Sequence, residues 1–560
     1  MPASRRSHSL TRIFQQAAGK KHIVASQTPL IAIVAASFLD RIEFVETIDA
    51  ALDRDPDRWR VSPGNLAKGI VLLPFIHSGP RLPILNVSEC YQGMDMELLF
   101  TSEVRPEWLT RDALACMLDG LSAAGCEHLF TSLALRVYTA FSIPLYPVLH
   151  GEATPISLYG VYGEVEGSPL SAPAASREER RRDPVTVTLG QACDPRGIPL
   201  ITTVHGGDEA DSAWSADVIR TLAELNPFPR TDVTAIADPK LATAQNIRTL
   251  QKKGFRFVTR CPASFGKKVA ARVTRAAYEA DAWIPVGSCR DTGEDTLEAC
   301  DVQEFAKATD DGVSCRFLVF RDNCQRHKFE ADLAKKREEF VAVLKEVAGR
   351  EFAREPDARQ ALEEARKRLR RYSPWEADLA IETAVTGKDS RAAGWAIRAG
   401  DPQLQQEVYL AELHGAESFV LMTNVPGEDL PAREVLCLYT GQKVVRDNFS
   451  VIRRPAMVDT LYLEKPGRIA ALGTLLSATL LIQMVIRVLV RRNLDALPEP
   501  PGLDHGCKPL IRPGLKKILR FIGYYSIITT GGERRFWCIS SSHEKNLEIW
   551  LRLLELDKGR

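Results

Sequence analysis

Two carboxylates stand where strand-like and helix-like segments meet. Asp238 ends the run TDVTAIA and precedes a helix read over 244–253. Acids at the carboxyl ends of strands in α/β layers are frequent metal or substrate ligands, because ligands collect along that edge of the sheet. A turn aspartate satisfying local amides looks the same in sequence, and residue type alone leaves both readings open. Glu152 follows the strand-like PLYPVLHG and is unremarkable in isolation, while His150 beside it reads as a structural histidine. Cys289, Cys300, Cys315, Cys324 and His327 share one region, but their irregular spacing fits no zinc module and reads as buried thiols. His205-Gly206-Gly207 follows a strand yet lacks the lysine of a phosphate loop.

The elements that must position these groups follow from periodicity. Residues 40–140 read as short amphipathic helices broken at Pro63-Gly64 and at the Gly79-Pro80 turn. From 144 the period changes to two: IPLYPVLH, PISLYGVYGEV, PVTVTLG, GIPLITTV and TDVTAIAD read as strands. Trp214–Leu225 reads as a helix, and Thr243 caps a second one over 244–253 with Gly254 just past its end. FRFVTRC then resumes the strands, so the two element types alternate as in an α/β layer. Lys328–Arg371 is dense in charge with apolar residues at helical spacing, which predicts a pair of long solvated helices. FVLMTNV at 419–425 returns to buried strand, Pro431 suits a first helical turn, and a helix is expected through Val435–Arg453. LPEPPG opens a C-terminal tail.

Composition narrows the class. The 560 residues predict three to four domains. With 73 Lys and Arg against 72 Asp and Glu the formal charge is +1, so any nucleic-acid surface is local. Twelve scattered cysteines in a chain this long do not form a disulfide scaffold, and reduced thiols in a cytoplasmic protein are expected. Pro29–Leu39 superficially resembles a signal core, but the basic stretch before it is too long and acid-bearing helical sequence follows at once. Ile469–Ile486 is apolar enough for a membrane span, yet a buried core helix is expected because the chain offers no partner span.

Six strings occur in a telling order: LHGEATPISLYG (149–160), GIPLITTVHGGDEAD (197–211), IADPKLATAQNIRTLQKKGFRFVTR (236–260), REFAREPDARQALE (350–363), FVLMTN (419–424) and YTGQKVVRDNFSVIRRP (439–455). Together they resemble the DDE transposases of bacterial insertion sequences. The resemblance is to the branch with a long insertion before the last acid and a Tyr, Arg or Gln, Glu, Lys signature on one helix. LDRIEFVETIDAAL and RVSPGNLAKGIVL resemble the helical domain that precedes the catalytic fold in that family. The resemblance covers about 30–495 and implies a ribonuclease-H-like α/β fold, a mixed sheet that gathers three carboxylates around two divalent cations. It also implies five parts: an N-terminal helical, DNA-end-binding domain (1–140), the first part of the core (141–262), an inserted α+β domain (263–416), the last part of the core (417–495) and a tail (496–560). Two cations about 4 Å apart suit phosphodiester chemistry, one activating the attacking hydroxyl and the other stabilising the leaving oxygen. Mg²⁺ or Mn²⁺ takes oxygen ligands, hence acids.

The family pattern maps onto this chain with two departures. Glu152 holds the place of the first aspartate and Asp238 that of the second. Tyr439, Gln442, Arg446 and Arg453 occupy the signature at i, i+3, i+7 and i+14, so the third acid has become Arg446. Asp447 is adjacent, but one helical step turns a side chain by about 100°. A guanidinium in place of a metal ligand is expected to fork onto Asp238 or Glu152 and take the second cation's space. DNA contacts fall to surface bases: Arg5, Arg6, Lys20 and Lys21, the run Arg177, Arg180, Arg181 and Arg182, and Arg453 with Arg454. The expectation is a transposase that binds its element's terminal inverted repeats and target DNA as a homodimer in a synaptic complex, for cleavage and strand transfer. The alternative is an inactive descendant that retains DNA binding or self-association.

Overall fold

A computed structural model describes residues 26–52, 59–77, 79, 82–161, 185–206, 233–237, 242–266, 268–287, 300–308, 314–385, 392–442, 456–503, 508–539 and 541–556. The chain forms two compact units, Met1–Phe257 with Leu438–Arg560, and Val258–Cys437. The first unit's main elements begin with β1 (Ser26–Pro29), α1 (Leu30–Arg41), α2 (Phe44–Ala51), α3 (Pro63–Ile76), α4 (Arg111–Ala124) and α5 (Cys126–Ala140). Then come β2 (Val148–Val161), β3 (Val185–Cys193), β4 (Pro199–Gly206), β5 (Thr234–Ala237) and α6 (Ala244–Lys252). After the second unit follow the end of α7 (Ala432–Thr440), β6 (Ala456–Asp459), α8 (Pro466–Asp495), α9 (Leu515–Ile522), β7 (Tyr525–Thr530) and β8 (Glu533–Cys538).

The N-terminal helices form where expected, with one correction. Pro63-Gly64 does not break a helix; it opens α3, with Ser62 Oγ accepting from the Asn65 N–H at 3.3 Å. Proline suits this place because first-turn N–H groups have no intrahelical partner. Nor is α3 amphipathic: twelve of its fourteen residues are buried, since neighbouring helices surround it. Lys68 is fully buried in α3 and reaches Asp40 at 2.5 Å. Burial pushes the Lys68 pKa down, and the carboxylate opposes that shift.

α8 contains the stretch read as a core helix. It is long and apolar enough to cross a membrane, with a mean hydropathy of 2.1, but 89% of that window is buried within the protein. It packs on α3, α4, α5 and β4. A Cβ added at Gly473 would lie 2.8 Å from Val204 Cγ2, so glycine lets the helix approach β4 closely. Ser477 Oγ is 3.1 Å from Gln191 Nε2 and 2.9 Å from Thr202 Oγ1, and a bidentate pair joins Arg468 to Asp119 at 2.8 and 2.7 Å.

β2 is the axis of the mixed sheet. It pairs antiparallel with β3, which pairs antiparallel with β4. Its first residues pair in parallel with β5 and its last with β6. The two separate strands expected around Glu152 are therefore one strand of fourteen residues. Pro155, opposite Thr188 on β3, lies between the two parallel pairings, where β2 has no described neighbour on its other side. A missing N–H is tolerated at such edge-like positions, so the proline does not end the strand.

The C-terminal tail is tied to the chain's beginning. β7 pairs with β1, Ser26 opposite Thr529, and with β8. Arg534 on β8 holds Asp95 through bonds of 2.8 and 3.1 Å.

In the second unit, the strand Ser314–Asp322 lies antiparallel between Cys300–Ala308 and Ser418–Thr423. The charged stretch forms the helices Asn323–Ala348 and Glu355–Leu369, whose Phe340, Val343, Leu344, Val347 and Leu362 build a local core with Ile397. Cys300 and Cys315 are buried thiols with pKa values pushed up by burial to about 11 and about 12. The expectation of reduced thiols throughout is corrected, because Cys437 is disulfide-bonded. Sequence spacing does not reveal which sulfurs meet in space. Cys289 and the helix expected over Trp214–Leu225 lie outside the described residues.

Candidate functional site

Glu152 sits inside β2, directly opposite Gln191 on β3, and not beyond a strand end as the sequence suggested. β5 ends at Ala237, the residue before Asp238. Asp238 itself lies outside the described residues. In the parallel register Gly151 is the partner of Ala237, so the backbone reaches both acid positions from a paired step on neighbouring strands. Adjacent strands run about 4.8 Å apart. Beyond Asp238 the chain enters α6, where Thr243 Oγ1 accepts from the Asn246 N–H at 3.1 Å and Gly254 takes φ +80° after the last turn. That cap and stop fall where the sequence located them.

The signature segment reaches the same spot. Tyr439 is half-buried in α7. Gln442, three residues on, is 2% exposed and donates from Nε2 to the Gly151 carbonyl at 3.3 Å. The third segment of the pattern thus touches the backbone between His150 and Glu152. Residues 443–455 lie outside the described residues, and with them Arg446, Arg453 and Arg454; so do Arg5, Arg6, Lys20, Lys21, Arg177, Arg180, Arg181 and Arg182.

Around this junction the sheet carries buried polar groups, of which sequence reasoning passed over Gln191 and Thr203. Gln191 is fully buried and uses Nε2 on Ser477, while its Oε1 has no hydrogen-bond partner among the described residues. Thr203 Oγ1, His150 Nδ1 and Gln442 Oε1 are in the same position. Burial pushes the His150 pKa down to about 4, so the imidazole is neutral at pH 7. That fits the structural reading of His150 and disfavours a role as a charged acid. The signal for Gln191 was present in VTVTLGQAC, where period two puts a polar residue on an otherwise buried face.

No group of three metal-ligating side chains occurs among the described residues.

Residues 27–135 match a family described as a domain of unknown function, DUF4277. The match runs from β1 into α5, the helical region before the sheet. A comparison with curated proteins finds no match. Among solved structures, the piggyBac transposase synaptic complex with hairpin DNA, determined by cryo-EM, overlays at a TM-score of 0.34 and 8% identity. The overlay covers 93% of this chain and 84% of that one, and is too loose to carry an argument. What stands is a mixed α/β protein in which the backbone beside Glu152, the end of the strand leading to Asp238 and Gln442 converge.

Proposed function

We propose that this chain is a transposase-type protein that binds the terminal inverted repeats of an insertion element, on a ribonuclease-H-like core built from β2–β5. The observation that carries the reading is the convergence on Gly151: its carbonyl accepts from Gln442, and its register partner Ala237 precedes Asp238. Three segments remote in sequence meet at one backbone position, and that meeting supports the reading. The helical region before the sheet serves as the DNA-end-binding domain, residues 263–416 are the insertion, and the acting unit is a homodimer on paired ends.

In an intact site of this kind two divalent cations supply the activated hydroxyl and stabilise the leaving oxygen. Here Glu152 and Asp238 are the residues that would hold a cation. Arg446 brings a positive charge in place of the third ligand and pairs with a carboxylate. Glu152 adds a methylene that displaces its oxygens by about an ångström, a misplacement that costs on the order of 100-fold in a positioned site. The chain therefore retains DNA recognition, with cleavage and strand transfer strongly weakened.

The test pairs binding with cleavage. The purified chain should retard cognate end DNA in a salt-dependent manner and nick it weakly or not at all with Mg²⁺ or Mn²⁺. Restoring the acids, Arg446→Glu with Glu152→Asp, should raise nicking. Robust nicking by the unmodified chain would overturn the degenerate-site reading, and absence of DNA binding would overturn the whole proposal.

A further inference from the structure

The C-terminal tail carries a concentration of positive charge that the site above does not use. Residues 508–532 contain Lys508, Arg512, Lys516, Lys517 and Arg520 and no acid, in a chain whose overall charge is +1. Within this stretch α9 is strongly two-faced. Leu515, Ile518, Phe521 and Ile522 are buried, while Lys516 and Arg520 are exposed on the opposite side. The apolar face packs on α1 and α8, and Phe521 meets the buried Trp550 ring at 6.0 Å. The cationic side is thus mounted on a fixed helix.

Charge accumulates at the entry to the helix as well. Arg491 of α8 donates to the Pro513 carbonyl at 3.0 Å and is pushed down in pKa by burial and by Arg512 beside it. Asp495 lies 3.8 Å from Arg512. Placing like charges side by side raises the free energy of the isolated protein, and a polyanion relieves it.

We propose that the outer face of α9, with Arg512 and Lys508 leading into it, is a contact surface for the phosphate backbone of duplex DNA, separate from the junction at Gly151. Lysines and arginines on one side of a rigid helix, with no base-reading pattern, suit positioning of a duplex and not sequence discrimination. The inference rests on the DNA-binding reading above and adds to it a surface in a region the family resemblance does not cover.

The experiment uses the full chain, a cognate end duplex and a random-sequence duplex, with affinity measured across a salt series for the wild type and for Lys516→Gln with Arg520→Gln. Two lost phosphate contacts should lower the slope of log K against log salt by about 1.8 and weaken binding roughly tenfold on both duplexes alike. Arg535→Gln on the neighbouring sheet, compared with Lys516→Gln alone, controls for net charge, and matching thermal melts establish that the variants are folded. An unchanged slope in a chain that still binds DNA overturns this surface and leaves the proposed function standing. A loss confined to the cognate end overturns it as a backbone contact. A wild-type chain that binds neither duplex overturns both readings.

Discussion

Two glycines of α3 should respond in opposite directions to the same substitution. By intrinsic propensity, alanine is favoured over glycine in a helix by about 1 kcal/mol, so both Gly64→Ala and Gly69→Ala look stabilising from sequence. The packing separates them. A Cβ on Gly64 would lie 2.7 Å from Val45 Cα and 2.8 Å from its carbonyl carbon, closer still to the carbonyl oxygen, and all three are backbone atoms of α2. The Gly64 N–H also donates to Asp49 Oδ1 at 2.6 Å, which holds the two helices in this contact. At Gly69 the nearest atoms are Leu109 methyls at 3.7 and 3.9 Å, an ordinary contact. Overpacking against backbone costs about 3 kcal/mol. Net of propensity, Gly64→Ala should lose about 2 kcal/mol and Gly69→Ala gain up to about 1. Hydrogen exchange read on peptides covering α2 and α3 gives a local measure in a chain too large for a single unfolding transition. Exchange in Gly64→Ala should be roughly 30-fold faster, and in Gly69→Ala unchanged or slower. Unchanged or slower exchange in Gly64→Ala would refute the close crossing of α2 and α3.

His150, buried and neutral with a pKa near 4, makes the native state resist protonation while the unfolded chain takes up a proton near 6.5. The group's stability contribution is complete above 6.5 and is lost as pH falls toward 4, by about 3 kcal/mol. Denaturation midpoints across that window should fall less steeply in His150→Gln, and parallel slopes would contradict the burial. Asp119 is held at about 2 by Arg468 and Lys465, so its contribution is present above 3.8 and lost between 3.8 and 2. Its side chain is 36% exposed, which reduces the effect to roughly 1 kcal/mol, and Asp119→Asn should remove that acid dependence. Gln442→Glu puts a carboxylate against the Gly151 carbonyl in a buried place and should lower the melting temperature more than Gln442→Leu, with the gap narrowing at acid pH as the carboxyl protonates.

Sequence by itself determined the local elements: the Thr243 cap and Gly254 stop of α6, the period-two strands of the sheet, and the charged helices of the second unit. These depend on backbone preference and on which face is apolar, quantities readable within a few residues. It misjudged α3 and the strand through Glu152, because burial from every side and pairing on one edge are set by neighbours distant in the chain. Only the tertiary structure decided that Gly151 pairs with Ala237 and meets Gln442, that Gln191 stands opposite Glu152, and that Ser26 joins Thr529 across the length of the chain. Register and the closure of such long loops are settled collectively, by burying one face of a sheet against helices that no local pattern names.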